Sequence, residues 1–215
     1  MTTAETPLAG DGATRLRPRN PWGQGERLRT EILEAASRML GELGSEEALT
    51  LRAVAREVGI AAPSIYRHFS DKSELVRAVL AREYEQLARH MGEAEAAVEP
   101  PESMAGLRAQ LHAYCQFAME NPGHYRLMFG IRQSPGAAAS SPRHPVWLVL
   151  DSLGAALRRC EEAGHRLRLP RDKSATTLFV GVHGRVALWH AFGRSSDPES
   201  VYAFADDLLD LAFED

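Results

Sequence analysis

The residues best suited to recognition chemistry cluster in the stretch 50–69, where small, hydroxyl-bearing and cationic side chains alternate with apolar ones. Hydroxyl, imidazole, guanidinium and ammonium groups donate hydrogen bonds to phosphate oxygens, and arginine can also pair with guanine O6 and N7. Small side chains let a helix approach the edges of the bases. The residues expected to contact DNA are Thr50, Arg52, Ala62, Pro63, Ser64, Tyr66, Arg67, His68 and Lys72.

Several members of this set have alternative interpretations. Lys72 falls in the first turn of a predicted helix, where the helix dipole disfavours a cation, and this favours a phosphate contact. Arg52 and Arg67 have three alternative roles: pairing with guanine, hydrogen bonding to the phosphate backbone, or solvation without a DNA contact. Tyr66 reaches a phosphate oxygen or fills a gap as a half-buried ring, and His68 donates to a phosphate or responds to the dipole at a helix end.

The apolar residues around this set predict two short helices joined by a tight turn at Gly59. Leu51 and Val54 share the inner face of the first helix, and Ile65 and Phe69 share that of the second. A helix-turn-helix that lays its second helix in the DNA major groove requires an outer face of the kind left exposed here.

Helical periodicity continues through the rest of the chain, without an alternating pattern of strand length. The sequence therefore predicts an all-α fold, in which a three-helix helix-turn-helix domain is joined by a long helix to a C-terminal helical domain. Helices are expected at 26–43, after Thr50, around Pro63, and at 71–96, 102–120, 122–129, 145–163, 171–192 and 197–213. A flexible loop is expected at 134–144.

Three segments are predicted along the chain. Residues 1–24 are rich in Pro, Gly and Thr and are expected to be disordered, residues 25–84 form the helix-turn-helix domain, and residues 85–215 form the larger domain. Within the tail, Arg15, Arg17 and Arg19 either follow the DNA phosphates as a basic arm or are solvated.

Composition limits the function classes. The net charge of −4 argues against a protein that coats nucleic acid, but a local basic patch can still supply the phosphate contacts of specific binding. No apolar run approaches the roughly 20 residues that span a bilayer, and the N-terminus lacks the apolar core of a signal peptide. Cys115 and Cys160 are expected to be free, buried thiols of a cytoplasmic protein. Only Lys72 and Lys173 of the 25 basic residues are lysines, a bias typical of GC-rich bacterial genomes.

Apolar and aromatic side chains on several C-terminal helices are candidates for a ligand pocket. Most such residues belong to the core of any helical domain, but aromatics that converge with a few polar groups suit a mostly apolar ligand. The candidate pocket residues are Tyr114, Phe117, Tyr125, Met128, Phe129, Trp147, Phe179 and His183. We interpret His183 as a hydrogen-bonded buried histidine rather than a metal ligand or a catalytic base, and we expect Gly184 to let another helix approach closely.

The last two predicted helices carry more apolar surface than a monomer can bury. On the final helix, Tyr202, Leu209 and Phe213 lie on a second apolar face, which predicts burial against its own core on one side and a second copy on the other. The expected interface residues are Val182, Val186, Trp189, Val201, Phe204, Leu208 and Leu211.

The N-terminal pattern resembles the TetR family of transcriptional regulators. The matching positions are Arg29 with 32–36, Gly44, Thr50 and Leu51, Val54 and Ala55, Val58 and Gly59, 64–69, and Asp71, Lys72 and Leu75. The segments NPGHYRLMFG and VHGRVALW resemble a subgroup whose ligand domain carries a His-Gly pair. The chain departs from the family at Ala61, where a Ser or Thr commonly caps the recognition helix.

The resemblance implies a homodimer whose C-terminal domain, 85–215, binds a small molecule and thereby changes the spacing of two DNA-binding heads. The favoured function is a repressor that binds a palindromic double-stranded DNA operator and is released by a small, mostly apolar effector. Two alternatives stay open: an enzyme that acts on a small apolar molecule in the helical domain, and a DNA-binding protein that does not respond to ligand. We find no catalytic motif or metal spacing and expect no cofactor, no metal and no membrane partner.

Overall fold

The computed structural model describes residues 25–43, 46–99, 104–130, 144–192 and 197–214. This part of the chain forms α-helices and no strand, with one isolated bridge between Leu167 and Phe213. The helices are α1 (Gly25–Leu43), α2 (Leu51–Val58), α3 (Ala62–Ile65), α4 (Lys72–Ala96), α5 (Met104–Glu120), α6 (Pro122–Gly130), α7 (Trp147–Glu162), α8 (Arg171–Phe192) and α9 (Glu199–Ala212). The all-α prediction is confirmed. Among these helices, none combines the length and apolarity needed to cross a bilayer.

The head is formed by α1, α2 and α3, and its turns follow from local chemistry. The Thr50 hydroxyl oxygen accepts a hydrogen bond from the amide of Ala53 at 3.1 Å, which caps the start of α2. Gly59 ends α2 in the left-handed region at φ 75°, where a side chain would be strained. Phe69 is fully buried, and the Arg29 guanidinium lies 5.0 Å from the centre of its ring, a cation–π contact that fastens α1 to the end of the helix-turn-helix.

Helix α4 begins in the head and continues into the larger domain. Asp71 caps it by accepting the Glu74 amide at 2.7 Å, while the Glu74 carboxylate accepts the amide and the hydroxyl of Ser70. These two hydrogen bonds from Ser70 lower the pKa of Glu74. The buried face of α4 runs without a break past residue 84, so one hydrophobic core connects the head to the rest of the molecule.

In the larger domain α5, α6 and α7 pack on α4, and α8 and α9 pack on α5. A partly buried ion pair between α4 and α7 fixes part of this arrangement. The Arg159 guanidinium on α7 binds the Glu95 carboxylate on α4, with Nε 2.9 Å from Oε1, and Gln110 on α5 donates to the same carboxylate at 2.6 Å. Cys115 and Cys160 are free and buried, and burial raises their pKa values to about 12 and about 11.

Several predictions fall outside the described residues. They are the tail 1–24 with Arg15, Arg17 and Arg19, the family-matching position Gly44, and residues 134–143 of the predicted loop.

Candidate nucleic-acid interface and aromatic cluster

The outer face of the helix-turn-helix is formed by α3 and the turn that follows it. Ile65 is fully buried and anchors α3 on the core, which leaves the other residues of this short helix facing outward. Pro63 and Arg67 are exposed, and Tyr66 is 50% exposed. Ala62, Ser64 and His68 are half-buried. Ala61 precedes α3 and makes no capping hydrogen bond, because alanine has no polar atom in its side chain.

Helix α2 contributes its first turn to the same side of the head. Thr50 and Arg52 are both exposed, and Thr50 keeps the donor capacity of its hydroxyl because it acts as acceptor in the cap. Hydroxyl and guanidinium donors therefore stand next to the small residues of α3, an arrangement that suits a phosphate backbone beside exposed base edges.

Lys72 has a structural role that the sequence analysis missed. Its ammonium group donates to the backbone carbonyl of Glu46 at 2.9 Å and to that of Glu47 at 3.4 Å. These bonds tie the segment before α2 to the first turn of α4 and offset the unfavourable helix dipole. No sequence signal marks a bond to a carbonyl 26 residues away. The ammonium has three hydrogens, so the tether leaves room for a phosphate contact.

Five of the predicted pocket residues meet in what we call the aromatic cluster: Tyr114, Tyr125, Phe129, Phe179 and His183. The hydroxyls of Tyr114 and Tyr125 lie 2.9 and 3.1 Å from His183 Nδ1, and the ring centroid of Phe129 lies 4.3 Å from that of the imidazole. Burial lowers the pKa of His183 and raises that of Tyr125 to about 12. The neutral imidazole and the phenols are thus polar groups set among apolar rings.

The other three predicted pocket residues have different positions. Met128 is buried and its carbonyl accepts the Tyr84 hydroxyl at 2.9 Å, while Phe117 packs half-buried on the core. Trp147 lines an open groove of about 1030 Å³ between α7 and α8. The groove also carries charged side chains, including Asp151, Arg158, Asp172 and Lys173.

The prediction for the glycine after His183 was wrong. A Cβ atom at Gly184 would meet nothing within 4 Å, whereas one at Gly181 would overlap the side chain of Leu208 on α9. Gly181 is therefore the residue that lets α8 and α9 approach closely.

The predicted dimer residues divide into two groups. Val182, Val186, Trp189 and Val201 are buried inside the protomer, so they present no surface to a partner and this part of the prediction needs correction. Phe204 and Leu211 are exposed, and Leu208 is half-exposed. These three residues lie on α9, and the large apolar residues that are exposed on α8 are Val180, Leu188 and Phe192.

One serine, histidine and acid grouping has the wrong order for hydrolysis. Ser37 Oγ contacts both the Glu83 carboxylate, at 2.6 Å, and His124 Nε2, at 3.1 Å. In a hydrolytic triad the histidine lies between the serine and the acid, whereas here the serine is central and donates its proton to the acid. Across the described ranges, no group of three or more His, Cys, Asp or Glu side chains is placed to hold a metal.

Comparison with known proteins agrees with this architecture. Residues 32–79 match the family model described as bacterial regulatory proteins, tetR family. Residues 107–212 match the model described as tetracyclin repressor-like, C-terminal domain.

Solved structures share the fold over most of the chain. A protein of unknown function from Rhodococcus sp. RHA1 is 25% identical, with 91% of this chain and 100% of that chain covered and a TM-score of 0.74. SmeT, the repressor of the Stenotrophomonas maltophilia multidrug efflux pump SmeDEF, is 22% identical, with coverage of 87% and 91% and a TM-score of 0.65. The fatty acid degradation regulator FadR from Bacillus halodurans is 16% identical, with coverage of 84% and 94% and a TM-score of 0.69.

A helix-turn-helix head, a helical C-terminal domain and a family match to each of them lead to one conclusion: the chain belongs to the TetR family of DNA-binding transcriptional regulators, which carry a ligand-binding C-terminal domain and are not enzymes.

Proposed function

We propose that this regulator is a repressor that binds a palindromic operator as a homodimer and is released by a small, mostly apolar effector. The observation that supports the operator contact most strongly is the outer face of α3, where Pro63, the half-exposed Tyr66 and Arg67 stand on a buried anchor. Small and donor side chains without an acid are what a major-groove helix requires. In a bacterium such a regulator acts in the cytoplasm, where its DNA lies.

The homodimer is supported by the apolar surface of α8 and α9. Phe192 and Leu211 are 73% and 70% exposed, an unusual state for large apolar side chains on regular helices. Together with Val180, Leu188 and Phe204 they offer a surface that a second copy can cover. A two-fold dimer presents two identical heads, and two identical heads read an inverted repeat.

The aromatic cluster is our candidate for the effector site. Its aromatic rings suit an apolar ligand, and the hydroxyls and imidazole at its centre can orient one polar group. The groove between α7 and α8 is a second candidate, since its volume of about 1030 Å³ accommodates a drug-sized molecule, but its charged lining suits a more polar ligand.

The operator contact is tested by selecting duplexes from a random double-stranded DNA library with the full chain. We expect enrichment of an inverted repeat whose half-site centres lie about 34–36 Å apart, or a multiple of that distance. Tyr66→Phe should weaken binding to the selected duplex, because only the exposed hydroxyl is removed, and Tyr202→Phe on α9 serves as the matched control. A failure to enrich any sequence would contradict the proposal.

A further inference from the structure

The groove between α7 and α8 is a second concave site on the C-terminal domain, separate from the aromatic cluster. It is lined by one face of α7, by Leu169 and by the first two turns of α8. On α7, the lining positions 147, 150, 151, 154, 155 and 158 recur at the spacing of three and four residues that places side chains on one side of a helix. None of the lining residues belongs to the aromatic cluster, so a substitution in the groove leaves the lining of the cluster unchanged.

The groove leaves apolar surface uncovered. Leu169 is 46% exposed and Trp147 is 38% exposed, although both side chains are large and apolar. The α7 wall also carries the small residues Gly154 and Ala155, and a Cβ atom at Gly154 would meet nothing within 4 Å. A low apolar wall of this kind suits a flat ring, because a flat ring can contact the wall at close range over its whole area.

Two cations of the groove are available to an anion. Lys173 is exposed and forms no ion pair with any residue that the structure describes. The Nε atom of Arg158 lies 3.9 Å from the Glu162 carboxylate, and both side chains are more than half exposed. A surface pair of this geometry contributes little to stability, so an incoming anion can replace it at little cost.

The remaining charged residues do not cancel this positive charge. Arg171 binds Glu161 of α7, with Nε 2.6 Å from Oε2, and Asp172 lies in the first turn of α8, where the helix dipole stabilises a carboxylate. Asp151 precedes Arg158 by seven residues, which separates the two by about 10 Å along α7. The end of the groove near the α7–α8 connection is therefore the end that attracts an anion.

We propose that the α7–α8 groove binds a small aromatic carboxylate, with its ring on the small-residue wall of α7 and its carboxylate at Arg158 and Lys173. Gly154 and Ala155 precede Arg158 by about one helical turn, so a ring on this wall brings its carboxylate within reach of the guanidinium. Both cations donate charge-assisted hydrogen bonds, and the planar guanidinium offers a carboxylate two parallel donors. The inference goes beyond the proposed function, because this binding requires neither operator DNA nor the aromatic cluster.

The test titrates 1-naphthoate into the full chain by calorimetry, with 1-naphthalenemethanol as the neutral ligand that has the same ring. We expect the alcohol to bind about tenfold more weakly than the carboxylate, because it lacks the charge-assisted hydrogen bonds. Naphthoate binding should weaken as salt is added, whereas binding of the alcohol should not. Arg158→Gln should weaken naphthoate binding about fivefold and leave the affinity for the alcohol unchanged.

A second variant blocks the groove itself. Gly154→Leu places a side chain in the open space above the α7 wall and should abolish naphthoate binding without lowering the melting temperature, because leucine forms helix better than glycine. Gly92→Leu on α4, where a Cβ atom also meets nothing within 4 Å, is the matched control and should bind naphthoate as the wild type does. If Gly154→Leu does not fold, as judged by circular dichroism, the exposed Arg158→Gln keeps the test decisive.

Three results would overturn the inference. They are no binding of naphthoate to the wild type, equal affinity for naphthoate and the alcohol, and binding that is kept in Gly154→Leu but lost in Tyr125→Ala, which would place the ligand in the aromatic cluster. None of these measurements involves DNA, so failure of the groove leaves the proposed operator contact standing.

Discussion

Among single residues, Lys72 shows how one cation can serve the fold and the interface together. Its bonds to the carbonyls of Glu46 and Glu47 place the segment that leads into α2, and thus the first turn of α2 with Arg52. A local loss of this tether would disturb the interface even if the ammonium never met a phosphate.

We predict that Lys72→Ala weakens binding to all duplexes alike and lowers the slope of log affinity against log salt by about 1. The reason is that a phosphate contact carries no sequence information and releases a counterion. Lys173→Ala on α8, which replaces the chain's other lysine, is the control and should leave the slope unchanged. Weaker binding with the wild-type slope would show that Lys72 acts only as a tether.

His183 makes stability depend on pH in a predictable direction. Burial lowers its pKa below the ordinary value of 6.5, so below pH 6.5 the unfolded chain binds more protons than the folded protein. The free energy of unfolding therefore falls as the pH drops from 6.5 through the folded-state pKa. His183→Gln should lose less of its free energy of unfolding as the pH drops, as measured by urea denaturation above and below pH 6.5. Some pH dependence should remain in the variant, because burial also lowers the pKa of His144. An identical loss in the variant would mean that His183 does not titrate as we infer.

Among the helices, α8 shows that a sequence pattern can predict a helix without predicting which of its sides is buried. Val182, Val186 and Trp189 form one apolar edge, but Val180, Leu188 and Phe192 are apolar as well. A helix that is apolar on several sides does not reveal which side faces its own core. The existence and extent of α8 could be predicted from the sequence, whereas its orientation depends on where α9 and α5 pack.

The same limit applies to contacts between helices distant in sequence. Gly59 could be assigned to the turn because its neighbours predict one locally. From the sequence alone, Gly41 is expected only to weaken the end of α1. In the structure it is in close contact with Gly123 and His124, which are 82 and 83 positions away. Residue type makes Tyr114, Tyr125 and His183 candidates for a pocket, but whether they meet depends on how α5, α6 and α8 pack. The separate groove beside Trp147 has no signal in the sequence.

We predict that Leu211→Glu on α9 converts the dimer to a monomer at micromolar concentration, because it places a charge in the apolar surface of α8 and α9. Leu211 suits the test better than Leu208, which packs against Gly181 of its own protomer. Leu43→Glu, at a similarly apolar exposed position at the end of α1, is the matched control and should leave the dimer intact. A wild-type monomer in sedimentation equilibrium would contradict both the dimer and the palindromic operator.

Across the whole molecule, one continuous core and two mechanical connections link the head to the C-terminal domain. Helix α4 crosses from one to the other without a break, and its Tyr84 touches α6 through both its hydroxyl and its ring, 5.8 Å from the Phe129 centroid. Helix α6 contacts α1 directly, where a Cβ atom at Gly123 would overlap the carbonyl oxygen of Gly41. A ligand in the aromatic cluster would therefore meet α6, which contacts α1, and Tyr84 of α4, a helix that begins in the head. Two such connections suit a regulator whose ligand changes the position of the head.

The most direct test of this account is a linkage titration that needs no knowledge of the natural effector. Small apolar compounds that raise the melting temperature of the wild-type protein, but not that of Tyr125→Ala, would be titrated into the protein with and without its selected operator duplex. Coupling between two sites is reciprocal, so operator should weaken ligand binding by the same factor by which ligand weakens operator binding, about 5–150-fold. Equal ligand affinity with and without operator, for several such compounds, would contradict the account and leave the C-terminal domain as a dimerisation platform.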